Sequence, residues 1–261
     1  MKVEAFVSTM NQKDHSILEK MNIQTDAIVI NQCDRFNYES FSFRDHMVRF
    51  YSFSERGVGL SRNSAMMRAT GDIGLFADDD LIYVDGYENL LLKVFEEYPE
   101  ADVIAFNVAS IGGKKRRYMI TKAQRIRSWN YMRYGTARIA VRVKRIQEKN
   151  IAFSLLFGGG AKYGSGEDTL FLHDCIRSGL KLVGVPVTLA KVDDSESTWF
   201  HGYDQKFYTD KGALFSALYG KMAGIHCLRF ALMHKSVRGK SLAERTQVMN
   251  WLFRGSGKMK M

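Results

Sequence analysis

Three consecutive carboxylates, Asp78, Asp79 and Asp80, follow directly on the apolar run Gly74-Leu75-Phe76-Ala77. Side by side at a strand end they repel one another, and something positive should compensate: a bound metal, basic side chains from elsewhere, or solvent alone. Asp78 and Asp80, on alternate residues, can both reach one divalent ion, and an all-oxygen set suits Mg2+ or Mn2+. The competing assignment is a solvated acidic turn, and the apolar strand in front of the triplet tips the balance toward a metal.

Other stretches carry chemistry of their own. In ERGVGLSRN, residues 55–63, Arg56 and Arg62 flank a glycine-containing turn at a helix start, a place suited to an anion. The alternative is that Arg62 and Asn63 are exposed first-turn side chains. A third glycine is missing, so a dinucleotide fingerprint is excluded. In GSGEDTLFL, residues 164–172, Glu167 and Asp168 open a helix behind flexible glycines, where the helix dipole favours the ionised carboxylate that a general base needs. The nearby GGAKYGSG lacks the Lys-Ser/Thr ending of a phosphate-binding loop. In STWFHGYD, residues 197–204, His201 is a candidate third metal ligand and Trp199 a ring on which an acceptor could stack, although a lone histidine is more often structural. Neither HExxH nor GxSxG occurs.

The elements that must position these groups alternate over the first hundred residues. Strands are expected at 2–9, 26–32, 47–53, 72–77 and 101–108, with helices at about 13–22, 60–70 and 85–98, stopped by Gly71 and Pro99. Such alternation with apolar strands predicts an α/β fold, a mainly parallel twisted sheet flanked by helices. Ligands gather at the carboxyl ends of such strands. Ser8 and Thr9, then Asn31 to Asp34, then Asp78 to Asp80 should therefore converge on one edge. Beyond residue 110 come an alternating, strand-like TARIAVRV, a Gly-rich loop at 158–166 and a helix from Glu167 to Gly179. From about 205 the chain reads as helical, with Leu214, Leu218, Met222 and Ile225 at helical spacing.

A chain of 261 residues with 46% hydrophobic and 25% charged residues is ordinary for a globular protein with a sizeable core. Its three cysteines form no CxxC pair, which argues against a disulfide framework or thiolate zinc site and for a reducing compartment. The start lacks a signal-like apolar run, and no stretch of about 18 apolar residues suggests a spanning helix. The net charge of +10 is unevenly placed: residues 114–149 hold 13 Lys or Arg against one acid, and residues 201–261 hold 11 against three. An acidic body thus carries two basic surfaces. The C-terminal one combines its apolar stripe with Lys221, Arg229, Lys235, Arg238 and Lys240, which favours an anionic membrane surface over nucleic acid, for which no known motif is present.

Taken in order, STMN, NQCD, GLSRN, ATGDIGLFADDD and GEDTLFL resemble a bacterial family 2 glycosyltransferase of the GT-A fold, from residue 1 to about 212. The resemblance implies an inverting, metal-dependent transfer from a nucleotide-diphospho-sugar to a glycan or polyprenyl-diphosphate-linked acceptor in surface polysaccharide synthesis such as capsule. It implies a site in which Ser8, Thr9, Asp34, Arg56, Arg62, Asp78 and Asp79 serve the donor. Asp78 and Asp80, with His201 as a third candidate, would hold Mn2+ or Mg2+. Asp168, next to Glu167, would be the base, and Trp199, Gly159 and Gly160 would face the acceptor. The expected organisation is a transferase domain over 1–204, with donor and acceptor halves meeting near residue 110, and a basic helical extension over 205–261. The expected setting is cytoplasmic and peripheral to the inner membrane face; homo-oligomerisation stays open. Two rivals remain: a sugar-nucleotide nucleotidyltransferase, for which STMNQKD lacks the glycine- and basic-rich loop, and a non-catalytic basic module binding nucleic acid or membrane.

Overall fold

A computed structural model describes residues 1–111, 118–192 and 202–259. The chain runs β1 (Val3–Met10), α1 (Ser16–Lys20), β2 (Asp26–Gln32), β3 (Asn37–Phe43), β4 (His46–Phe53), α2 (Val58–Arg68), β5 (Ile73–Asp78), β6 (Leu81–Tyr83), α3 (Tyr87–Glu97) and β7 (Val103–Ser110). It continues through β8 (Gln124–Ile126), two single 3-10 turns, β9 (Ile139–Arg142), α4 (Val143–Glu148), α5 (Glu167–Arg177), β10 (Leu182–Val192), α6 (Gln205–Tyr219), α7 (Ala223–Met233) and α8 (Leu242–Lys258).

The strands form one sheet in the order β3-β4-β2-β1-β5-β9-β7-β10-β6, with β8 also on β10. β1, β2, β4 and β5 run parallel, as do β7 and β10. The continuous apolar runs of β1, β2 and β5 fit this arrangement, because both faces of the sheet are covered. On one side Val7, Val29 and Leu75 pack against Leu18 of α1, Met21 just after it, and Leu91 and Phe95 of α3. On the other, Phe6, Ile30 and Phe76 meet Ala65 and Met66 of α2 and Phe171 and Leu172 of α5. Buried Glu4 accepts hydrogen bonds from the backbone of Thr70 and Gly71 and from Arg49, each at 2.7 Å, which pins the turn that ends α2.

Four strands depart from the simple alternation. β3 pairs antiparallel with β4 through the two-residue loop Arg44-Asp45, both with positive φ. The Asn-Gly signal of such a turn is absent, so the hairpin is silent in the sequence. β9 is inserted antiparallel between β5 and β7, and β6 and β8 pair antiparallel with β10. The strand-like run at 136–143 is therefore only four residues of strand, preceded by a 3-10 turn at Thr136–Arg138.

The last three helices pack as a unit. Tyr208, Phe215, Cys227, Ala231, Val248 and Leu252 form its interior, while Leu214 and Leu218 face Phe157, Tyr163 and Leu170 beside α5. The expected single stripe is thereby corrected: Leu214 and Leu218 are buried, whereas Met222 and Ile225 lie on the outside. The division arises because α6 ends at Tyr219 and the chain turns before α7. No described helix is long and apolar enough to cross a membrane.

α6 and α8 cross with their backbones in contact. A Cβ on Gly212 would lie 1.9 Å from the Leu252 carbonyl oxygen, and one on Gly255 would lie 1.9 Å from that of Thr209. Gly212→Ala and Gly255→Ala should each force the helices apart and destabilise the C-terminal unit by ~3 kcal/mol. Thermal denaturation followed by circular dichroism checks this, and wild-type melting in both variants would contradict the crossing.

Candidate active site

The parallel register places the polar strand ends side by side. Ser8 is paired with Ile30 on one neighbour and Asp78 on the other, and Thr9 is paired with Asn31. Thr9 Oγ1 donates to Asp79 Oδ2 at 2.6 Å, and Gln12 Nε2 donates to Thr9 Oγ1 at 2.8 Å. Ser61 Oγ donates to Ser8 Oγ at 2.9 Å, which joins α2 to the same edge. Asp79 therefore has a defined partner, a tie between the ends of β1 and β5. Asp34 lies exposed just beyond β2. Arg56 donates to the Cys33 and Glu55 carbonyls and to Asn11 Oδ1, bracing the loop after β4 against the ends of β1 and β2.

The centre of the cluster is Arg62. It is buried on α2, and its guanidinium reaches three carboxylates from two other elements. Nη2 donates to Asp78 Oδ1 at 2.9 Å, while Nη1 donates to Asp168 Oδ1 at 3.0 Å and to Glu167 Oε1 at 3.2 Å. Phe153 lies beside it, with its ring centroid 5.4 Å from Cζ. Burial opposes the charge on Arg62, but Asp78, Asp168 and Glu167 together outweigh it and hold the guanidinium above its ordinary pKa. Arg62 is thus no exposed first-turn residue. It is a basic side chain from elsewhere that compensates the strand-end acids.

α5 delivers Glu167 and Asp168 from its first turn. Asp168 Oδ1 also accepts a hydrogen bond from Thr136 Oγ1, so the carboxylate is fixed from both sides. Glu167 departs from expectation, because burial pushes its carboxyl up to about 7, with the Asp168 charge adding and Arg62 opposing. Here desolvation outweighs the helix dipole. The Gly-rich loop locks this end to α2: Val58 N donates to the Gly159 carbonyl at 2.9 Å, and a Cβ on Gly158 would lie 2.8 Å from both the Glu167 carboxyl carbon and Val58. Gly160, with φ of +78°, lies against Gly57. Gly159 and Gly160 therefore sit where α2 and α5 begin. Trp199 and His201 lie outside the described residues. The sequence missed Thr136, whose place beside Asp168 follows from the insertion of β9.

Glu167 ionises near 4.5 when unperturbed and at about 7 in the folded chain. Its stabilising contribution is complete below the lower value and is lost as pH rises through the upper one. Melting temperatures measured from about pH 5 to 8 should fall less steeply with pH in Glu167→Gln than in the wild type. Parallel curves would remove the buried carboxyl from the account.

Comparison with known proteins agrees with this architecture. The family model described as glycosyl transferase family 2 matches residues 15–156, more than half of the chain. Among solved structures, the 1–349 fragment of S. aureus TarS in complex with UDP is similar at 15% identity and a TM-score of 0.66, covering 98% of this chain and 80% of that one. The same fragment in complex with UDP-GlcNAc gives 16% identity, a TM-score of 0.66 and coverage of 98% and 82%. At these identities the likeness establishes the fold. No curated protein matches the chain. With a GT-A sheet, clustered acids at its carboxyl edge and a family model that matches residues 15–156, the chain belongs to glycosyl transferase family 2, and it is a glycosyltransferase.

Proposed function

We propose that this glycosyltransferase moves a sugar, with inversion, from a nucleotide-diphosphate donor to a hydroxyl of a glycan or lipid-linked acceptor in bacterial surface polysaccharide synthesis. The observation that carries this reading is the fixed carboxylate of Asp168, held between Thr136 and Arg62, with Arg62 also bonded to Asp78 on the donor edge. The donor would lie across the ends of β1, β2 and β5, near Ser8, Thr9 and Asp34. TarS, crystallised with UDP and with UDP-GlcNAc, is a precedent for such a ligand on this fold.

In the proposed step, Asp168 takes the proton of the acceptor hydroxyl as its oxygen bonds to the anomeric carbon. The bond from that carbon to the diphosphate breaks on the opposite face, and the electron pair leaves with the nucleoside diphosphate. Arg62 keeps Asp78 and Asp168 at a fixed spacing and offsets their repulsion. Among the described residues no three His, Cys, Asp or Glu side chains converge as a metal cage. Asp78 Oδ1 is taken by Arg62, but its side chain remains 35% exposed, so a carboxylate oxygen can still face a ligand. Asp78 with Asp80 fits Mg2+ or Mn2+ in the mode in which one or two carboxylates bind and substrate phosphates complete the shell. Such an ion would neutralise charge on the departing diphosphate.

A panel of nucleotide sugars with Mn2+, scored for binding and slow hydrolysis, tests the donor class. Asp168→Asn should cut transfer at least a hundredfold, at the lower end of general-base effects, while sparing nucleotide affinity. Unimpaired turnover in that variant would remove Asp168 as the base.

We also propose peripheral contact with an anionic membrane through α7. Its inner side buries Ala223, Cys227 and Ala231, and its outer side presents Ile225, Leu228 and Leu232 at 63%, 45% and 55% exposure. An outward apolar face is unusual for a surface helix. Exposed Lys221, Arg229, Lys235 and Arg238 on and beside it favour acidic lipid headgroups. The protein should co-sediment with phosphatidylglycerol vesicles, and Ile225→Ser with Leu232→Ser should weaken this at least about tenfold, given ~1.5 kcal/mol or more per buried aliphatic side chain. Equal sedimentation, or self-association lost in the same variant, would assign the face to another partner.

A further inference from the structure

The two carboxylate oxygens of Asp168 have unequal surroundings. Oδ1 accepts from Arg62 Nη1 at 3.0 Å and from the Thr136 hydroxyl. A carboxylate oxygen offers about two lone pairs, so these two donors fill Oδ1. Oδ2 accepts no hydrogen bond among the described residues, and the Asp168 side chain is 30% exposed. A general base needs a free lone pair for the incoming proton, and Oδ2 is the oxygen that has one.

The turn before β9 creates this asymmetry. Thr136 is buried, and because an ionised carboxylate can only accept, the threonine hydroxyl must spend its proton on Oδ1. The preceding residue, Gly135, faces the other oxygen: a Cβ there would stand 3.2 Å from Asp168 Oδ2. Gly135 has φ of −99° and ψ of 160°, extended backbone that any residue adopts, so chain geometry does not call for glycine. Nor does crowding in general, since beyond its chain neighbours no other described atom lies within 4 Å of that Cβ position.

The carboxylate itself is the constraint. Oδ2 could yield to a side chain at 135 by turning about the Cβ–Cγ bond of Asp168, but that turn would pull Oδ1 away from Thr136 and Arg62. A side chain at 135 would therefore either cover Oδ2 or break the bonds that fix its partner oxygen. Gly135 also lines a pocket of about 250 Å3 with Val108, Tyr118, Arg133, Ala137 and Arg138, so the residue that leaves Oδ2 bare also borders open space.

We infer that Gly135 and Thr136 together select the reacting atom of the base. Thr136 is a positioning residue that ties up Oδ1, and Gly135 keeps Oδ2 open to the acceptor hydroxyl. The inference rests on the proposed role of Asp168 and adds which of its oxygens reacts and what controls access to it. In the transfer, the acceptor O–H gives its proton to Oδ2 as its oxygen bonds to the anomeric carbon. The bond from that carbon to the diphosphate breaks, and its electron pair leaves with the nucleoside diphosphate. Arg62 and Thr136 keep their bonds to Oδ1 throughout, so the base gains its proton without losing its orientation.

The probe is the sugar nucleotide that the wild type hydrolyses fastest in the panel above, with Mn2+ present and water as acceptor. Gly135→Ala should lower kcat about tenfold and Gly135→Val about a hundredfold, as expected for a base progressively covered or displaced. Thr136→Val should lower kcat by a similar factor, and Thr136→Ser, which restores the hydroxyl, should recover most of it. Donor KM, UDP affinity and the far-UV circular dichroism spectrum should match the wild type in all four. Gly135→Ala removes no buried group, so it carries the test where Thr136→Val does not fold. Wild-type kcat in Gly135→Val, Thr136→Ser as slow as Thr136→Val, or a loss confined to donor KM would overturn the inference while Asp168→Asn still abolished turnover. Unimpaired turnover in Asp168→Asn, or none in the wild type, would instead remove the base or the donor reading on which it rests.

Discussion

A single buried guanidinium organises this molecule. Arg62 cannot give up its proton, and removed from water it requires anions within hydrogen-bonding distance. It finds them on β5 and on α5, so the strand end that carries Asp78 and the helix start that carries Glu167 and Asp168 must meet α2 at one point. The requirement is mutual. Without Arg62, three carboxylates would crowd a partly buried space with no counter-charge. The strand end at Asp78 and the acids that open α5 therefore form one electrostatic unit rather than two neighbouring clusters.

That unit needs close backbone approach around it. Gly158 and Gly160 adopt positive φ and leave no room for a side chain between the loop, Glu167 and the start of α2. The Val58 to Gly159 hydrogen bond then fixes the two helix starts to each other. On the far side, β9 enters the sheet antiparallel between β5 and β7 and carries the preceding turn, with Thr136, up to Asp168. The same insertion sets Arg133 and Arg138 around the neighbouring pocket. One strand of four residues thus orients Asp168 and shapes the space next to it.

Charge is distributed with comparable economy. The acidic edge is partly offset from inside by Arg62, and excess positive charge lies on the β7 side and on the C-terminal helices. There α6, α7 and α8 bury their small and aromatic residues against one another and leave the aliphatic side chains of α7 outside.

The sequence by itself determined the sheet's parallel body and which polar groups gather at its carboxyl edge. Continuous apolar runs mark buried strands locally, and the residue following each run must then lie at the carboxyl edge, which is why Ser8, Thr9, Asn31 and Asp78 could be brought together from pattern alone. The acid pair at the start of α5 was equally legible, from glycines followed by a helical period. Only the tertiary structure decided what these groups touch. Arg62 and Asp168 are 106 residues apart, and no local period encodes such a contact. The hairpin at Arg44-Asp45 and the antiparallel β9 are fixed by pairing with distant strands, so propensity within each segment is silent about them. The ionisation of Glu167 turned on burial, which overrode the dipole that sequence position suggested. Likewise Leu214 and Ile225 share one helical period in the sequence, but the turn between α6 and α7 buries the first and exposes the second.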